Sequence, residues 1–336
     1  MPLIGVEAGA AAAVTWSASA IVAAYAADRL GFAIAPFAVL PLSLAVAAAV
    51  LLRLRRRAAS DPASLAAFGS IVAGTFAWLL WRARPDLLPT GTGSDLAHHL
   101  ALLGYFERHG RLVHDAGAGA YLGEMIDYTP GAHLLTVLAA AWVRRDALHV
   151  VHTVVSLTVA LKIGLVFLIA RRLLPDEVPR VPFALLAAVL PWLPYAFFAG
   201  SFMAQSFLSQ VVSELFAVAM WWTIVAWSER PSAGMMTLFA LLGAAVFLTW
   251  PVWIGPLVLT LAATVLRWSR RSTPPGARST ASTWCTRSAS RSSRRRRCSA
   301  GRSSRSRPAV WRAPRSIGAR AARRCLSPRS RCRARR

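Results

Sequence analysis

Cysteine is absent from the first 266 residues, and aspartate and glutamate are absent from the 70 residues that follow, Arg267 to Arg336. Lysine occurs once, as Lys162. A body without cysteine needs no disulfide in any external loop. The four cysteines, Cys285, Cys298, Cys325 and Cys332, show neither CxxC spacing nor the paired histidines of a zinc site. Also missing are HExxH, a Walker loop, a nucleophile elbow and a dinucleotide fingerprint, which removes the enzyme classes those motifs mark.

The acid-free stretch sets the charge. Of 39 Lys+Arg residues, 23 are arginines at or after Arg267, leaving 16 basic against 14 acidic side chains before it, a net of +2. The formal +25 is therefore a property of the tail. After Arg271 the alphabet also lacks Lys, Asn, Gln, His, Phe, Tyr and Met. Two causes fit: a reading-frame shift in GC-rich coding DNA, or a basic arm whose clusters, such as Arg294–Arg297, grip anionic lipid or release counterions from phosphates. Composition without a recognition motif places nucleic acid last among the partners of such an arm.

What is present before Arg267 is one apolar stretch after another, most of them about 17–25 residues long, the length a helix needs to cross a hydrocarbon core about 30 Å thick. Spans are expected near Ala8–Ala27, Gly31–Leu52, Ala63–Trp81, Ala147–Ala170, Pro182–Ala199, Ser206–Trp227, Gly234–Trp250 and Val252–Trp268, with a shorter segment at Gly131–Val143. The expected fold is all-α: a polytopic membrane domain over 1–268 with eight or nine transmembrane helices, an external loop at 82–130, and an Arg/Ser-rich tail at 269–336. The first span lacks the basic leader of a secretory signal, which favours a retained anchor.

Arg53, Arg55, Arg56 and Arg57 follow the second span and hold that loop in the cytoplasm. The N-terminus is then inside and the loop Arg82–Pro130 outside. Gly131–Val143 rises only about 20 Å as a helix. Read as a half-inserted segment, it keeps Arg171–Arg172, Glu229–Arg230 and Arg267–Arg271 inside; read as a tilted crossing from near Met125, it inverts everything downstream.

All seven histidines lie between His98 and His152, in a window that also holds Asp95, Glu107, Asp115, Glu124, Asp127 and Tyr128. A loop of about fifty residues exceeds what compact domains leave structureless. Ser94 can cap a helix with Asp95 in its first turn, and Leu96, Leu100, Leu103 and Phe106 recur near a helical period. An amphipathic helix lying on the membrane is expected there. Asp95 stands three and four residues before His98 and His99, so it shares a face with at least one imidazole. A carboxylate beside an imidazole can hold a divalent metal or accept a proton from an attacking hydroxyl; alternatively Asp95 complements the helix dipole and the histidines face water. Further on, Pro130 fixes the entry to the apolar segment bearing His133. Lys162 falls inside a span, where an ionisable group is a functional suspect.

The run Gly93-Ser94-Asp95-Leu96-Ala97-His98-His99-Leu100, then Phe106-Glu107-Arg108-His109-Gly110-Arg111-Leu112, then Tyr128-Thr129-Pro130-Gly131-Ala132-His133-Leu134 resembles the first external loop of GT-C glycosyltransferases. Those membrane enzymes show an acidic residue followed by His, a helix ending in Gly, and a Tyr-Pro element opening the next apolar segment; here Thr129 interrupts the Tyr-Pro pair. The resemblance, to the N-terminal part of dolichyl-phosphate-mannose mannosyltransferase-like enzymes, implies transfer of a sugar from a polyprenyl-phosphate donor to an extracytoplasmic glycan, lipid or protein acceptor, with inversion. It implies Asp95 as the base or, with His98, the holder of a divalent cation (Mg or Mn), and His99, Glu124, Asp127, Tyr128 and His133 as substrate contacts. Such enzymes continue with more spans, so the chain as written reads as an incomplete enzyme. The competing classes are a membrane transporter or flippase of lipid-linked sugars, and a non-catalytic scaffold with a lipid-binding tail.

Overall fold

The computed structural model describes residues 5–54, 61–88, 95–194 and 199–272. The chain divides into two units, Met1–Pro275 and Gly276–Arg336, and the described residues all fall in the first. Ser94, Arg55–Arg57, the arginine clusters and all four cysteines lie outside the described residues.

Those residues form helices and no strand. In chain order they are α1 (Gly5–Arg29), α2 (Pro36–Leu54), α3 (Pro62–Arg82), α4 (Asp95–His109), α5 (Gly119–Leu122), α6 (Gly131–Trp142), α7 (Ala147–Leu173), α8 (Arg180–Val189), α9 (Ala199–Met203), α10 (Leu208–Glu229), α11 (Ala233–Thr249) and α12 (Ile254–Ser272). Local chemistry sets several starts. Asp61 accepts from the Ser64 amide ahead of α3, whose first residue is Pro62; Asp146 accepts from the His149 amide at α7; Ser232 accepts from the Met235 amide at α11. Each side chain satisfies an amide that has no partner inside its helix.

Among the described residues six helices are long and apolar enough to cross a membrane: α1, α2, α3, α7, α10 and the Pro251–Arg270 stretch that contains most of α12. The other three expected apolar segments are shorter helices. The stretch expected over Pro182–Ala199 ends its α-helix at Val189 and tightens into a 3₁₀ turn over Leu190–Trp192. Pro191 lacks the amide that would continue the α pattern. Helix α11, with 17 residues, spans about 25 Å.

The bundle is built around α10 and α7, whose apolar stretches are 72% and 67% buried, whereas those of α3 and α12 are 17% and 0% buried. The outer helices turn large apolar side chains outward, including Leu52, Leu65, Phe247 and Leu259, each more than half exposed. Surface of this kind is costly in water and suited to hydrocarbon. Helices α3 and α7 approach closely at Gly164, where a Cβ would come within 2.5 Å of the Phe68 ring.

The ends of the bundle are distinct. Glu7 of α1, Asp61 before α3, and Arg171, Arg172 and Glu229 at the ends of α7 and α10 gather at one end, tied by ion pairs. Helices α4 and α6 lie across the other. The N-terminus of α6 meets the C-terminus of α11, where Thr129 Oγ1 donates to the Thr249 carbonyl and a Cβ on Gly131 would approach the Leu248 carbonyl at 2.8 Å. Its C-terminus meets the start of α2, with Trp142 Nε1 donating to the Pro36 carbonyl at 2.9 Å and the ring stacking on Trp16. Both ends of α6 thus touch the same end of the bundle, and α7 sets out from that end, its Ala147 amide donating to Glu107 of α4.

Candidate functional site

Helix α4 covers Asp95–His109, and it buries His99, Leu102, Leu103, Tyr105 and Phe106. Apolar residues at this spacing pack α4 against α6. That packing carries His99 onto His133 in the first turn of α6. The two rings meet with Nδ1 of His99 and Nε2 of His133 2.9 Å apart, and both side chains are fully enclosed. Four residues before His99 on the same face, the Asp95 carboxylate stands 3.4 Å from its Nε2 and is 41% exposed. Tyr128 closes the group edge-on, 5.3 Å from the His99 ring and 5.8 Å from the His133 ring.

The result is a file of groups running from a half-exposed carboxylate to a buried imidazole pair. Burial pushes the His99 imidazole below its ordinary pKa, with the Asp95 charge opposing. Burial raises the Tyr128 phenol, with the Ser209 hydroxyl of α10 opposing. Neither His99 Nε2 nor His133 Nδ1 closes a hydrogen bond within the described residues; His133 faces the Thr129 carbonyl.

Beside the file lies a cleft of about 570 Å³. Its lining includes Tyr25 and Arg29 from the end of α1, His114 and Asp115, Asp127 and Tyr128, and the apolar Phe247 and Leu248 of α11. The loop after α4 is held against α1 by Asp28, a buried carboxylate that accepts from the Leu112 amide at 3.0 Å and from His114 Nε2 at 2.7 Å.

Of the expected site residues, Asp95, His99, Tyr128 and His133 come together. Asp127 lines the adjoining cleft. Glu124 and His98 are exposed, and it is His99, not His98, that faces Asp95. Among the described residues no three His, Cys, Asp or Glu side chains converge as a metal site. Asp95 and His99 alone supply too few ligands for a hard divalent cation, so no step below runs through one. Sequence reasoning missed Asp28, Arg29 and Tyr25, which lie some seventy or more residues from the loop they join; an aspartate and an arginine together at the end of an apolar run were the available signal.

Comparison with protein-family models, with curated proteins and with solved structures found no match to this chain.

Proposed function

We propose that this chain is a membrane glycosyltransferase of the GT-C type, or the N-terminal part of one, using a polyprenyl-phosphate-linked sugar. One observation carries the reading: a half-exposed carboxylate backed by a buried imidazole pair, beside a cleft whose lining joins Arg29 and His114 to Asp115, Asp127 and the apolar Phe247 and Leu248. A lipid-linked donor needs a cation for its phosphate and an apolar surface for its isoprenoid. The acceptor hydroxyl attacks the anomeric carbon, the bond from that carbon to the phosphate oxygen breaks with its electron pair going to the phosphate, and Asp95 takes the hydroxyl proton. The acidic Asp127 lines the same cleft and suits acceptor hydroxyls. Arg29 and His114 line the cleft where they can offset the charge of the departing phosphate. The outward apolar faces suit a protein within the cell membrane, and α6, with both ends at one end of the bundle, supports the half-inserted reading in which loop 82–130 is extracytoplasmic and Arg171–Arg172 cytoplasmic.

The test is sugar transfer by the full chain in vesicles, using a panel of polyprenyl-phosphate sugars. Asp95→Asn should lower transfer by about 10² to 10⁴-fold while membrane insertion stays normal. Unchanged transfer would remove Asp95 from the role of base.

A transporter or flippase is the second reading, favoured by a buried Lys162–Glu214 pair between α7 and α10 next to the helix broken at Leu190–Trp192. It predicts lipid-linked sugar translocation that survives Asp95→Asn and fails in Lys162→Met.

A further inference from the structure

A second cavity, of about 360 Å³, lies on the flank of the bundle between α7, α10 and α12, away from the Asp95 file and from the cleft beside it. Its walls are apolar, formed among others by Val166, Val218, Trp221 and Leu257. Its polar content is concentrated in two residues. Lys162 Nζ stands 2.5 Å from Glu214 Oε2, with side-chain exposures of 6% and 15%, and Gln210 Nε2 donates to the other carboxylate oxygen at 3.1 Å. Trp253, another lining residue, has a buried indole N–H with no acceptor among the described residues. Trp221, on the outward side, is 44% exposed, so the cavity opens towards whatever surrounds the bundle.

An ion pair in an apolar wall is expensive to desolvate, and well-packed apolar residues would serve packing at least as well. Its position on a cavity therefore points to recognition of a head group. The pair is neutral overall, and that limits the chemistry. An anionic head would be repelled by Glu214 and a cationic one by Lys162, in surroundings where charge is weakly screened. A hydroxyl suits both, since its oxygen accepts from the ammonium while its proton goes to the carboxylate, and no net charge enters the bundle. The volume limits size as well: at about 30 Å³ per non-hydrogen atom, the figure for liquid water, the cavity holds on the order of a dozen such atoms. One chain fits and two do not.

We propose that this cavity binds a single-chain lipid alcohol, its hydroxyl bridging Lys162 and Glu214 and its chain lying along Trp221 towards the bilayer. The site is independent of the transfer chemistry assigned to Asp95.

The probes are 12-bromododecan-1-ol and 1-bromododecane, added to the full chain in detergent micelles while tryptophan fluorescence is followed. The alcohol should quench saturably, the alkane only in proportion to its partition into the micelle, and Trp221→Phe/Trp253→Phe should remove the saturable part. In Lys162→Met/Glu214→Met, which keeps the packing volume, the apparent Kd for the alcohol should rise about tenfold or more, the loss expected for charge-assisted hydrogen bonds. Equal quenching by alcohol and alkane in the unaltered chain overturns the proposal without any variant having to fold. So does unchanged alcohol affinity in the Lys162/Glu214 double variant, or saturable quenching that persists without Trp221 and Trp253.

Discussion

The two ends of the bundle use similar side chains to opposite effect. At the end where α1 begins, Arg172 grips Glu7 through Nε and Nη2 at 2.5 and 2.7 Å and reaches Glu229 through Nη1 at 2.6 Å, while Arg171 pairs with Asp61. Glu7 and Arg172 are almost wholly enclosed, at 2% and 3% side-chain exposure. At the other end, Asp95 stands half open and two imidazole nitrogens are buried without a closed hydrogen bond. At the first end Arg171 Nε is the one buried nitrogen of these residues without a hydrogen bond among the described residues. Paired polar groups tie helices together; unsatisfied ones are left able to take part in a reaction. The contrast suits stability at the first end and, on the proposed function, chemistry at the second.

The sharpest way to break that contrast is Asp95→Asn, which should lower sugar transfer by about 10² to 10⁴-fold, the range for loss of a general base, with thermal stability in detergent unchanged. A large fall in stability would place Asp95 among the structural groups. Next in size is Glu7→Ala, which removes two contacts of the enclosed Arg172 guanidinium and leaves the one to Glu229; it should cost up to about 3–5 kcal/mol, read as a lower melting temperature. Glu7→Leu/Arg172→Leu should recover most of it, because an apolar pair strands no charge of its own. Gly131→Ala comes third: its methyl would meet the Leu248 carbonyl at 2.8 Å and Thr249 Cγ2 at 2.5 Å. The overpacking should cost about 1–3 kcal/mol and, by shifting His133, reduce transfer more than a comparable substitution at the Glu7 end.

The smallest effect is on pH. His99 is held below its ordinary pKa of 6.5, so the unfolded chain takes up this proton first as pH falls. The stability contributed by the neutral ring is fully present above about pH 6.5 and declines below it. Melting curves from pH 7.5 to 5.5 should show this decline, and His99→Gln should flatten it. A slope unchanged by the substitution would mean that other groups carry it.

Much of the bundle was legible because apolar length and helix caps act locally. The long helices follow the apolar runs and Asp95 begins a helix, whereas the break of the expected Pro182–Ala199 span at Pro191 was not foreseen. Within the site, helix spacing placed Asp95 beside His98 or His99, and the structure selects His99. The His99–His133 contact could not be read, since it depends on how α4 crosses α6 over a separation of 34 residues. The same holds for Lys162, conspicuous as the single lysine, whose partner Glu214 sits 52 residues away. Pairings of this kind are set by packing between helices, and periodicity within one helix carries no trace of them.

On the proposed function, helix α6 bears on the lipid as well as on the site. A helix that passes through the bilayer can answer a change in thickness by tilting, but α6 is pinned at Thr249 and Pro36, both at one end of the bundle. The position of His133 is therefore fixed relative to α2 and α11, and on the proposed topology the hydrocarbon boundary would move past it when acyl chains lengthen. In vesicles of increasing acyl length the same imidazole would pass from the headgroup layer into oil, and turnover would serve as a gauge of membrane thickness.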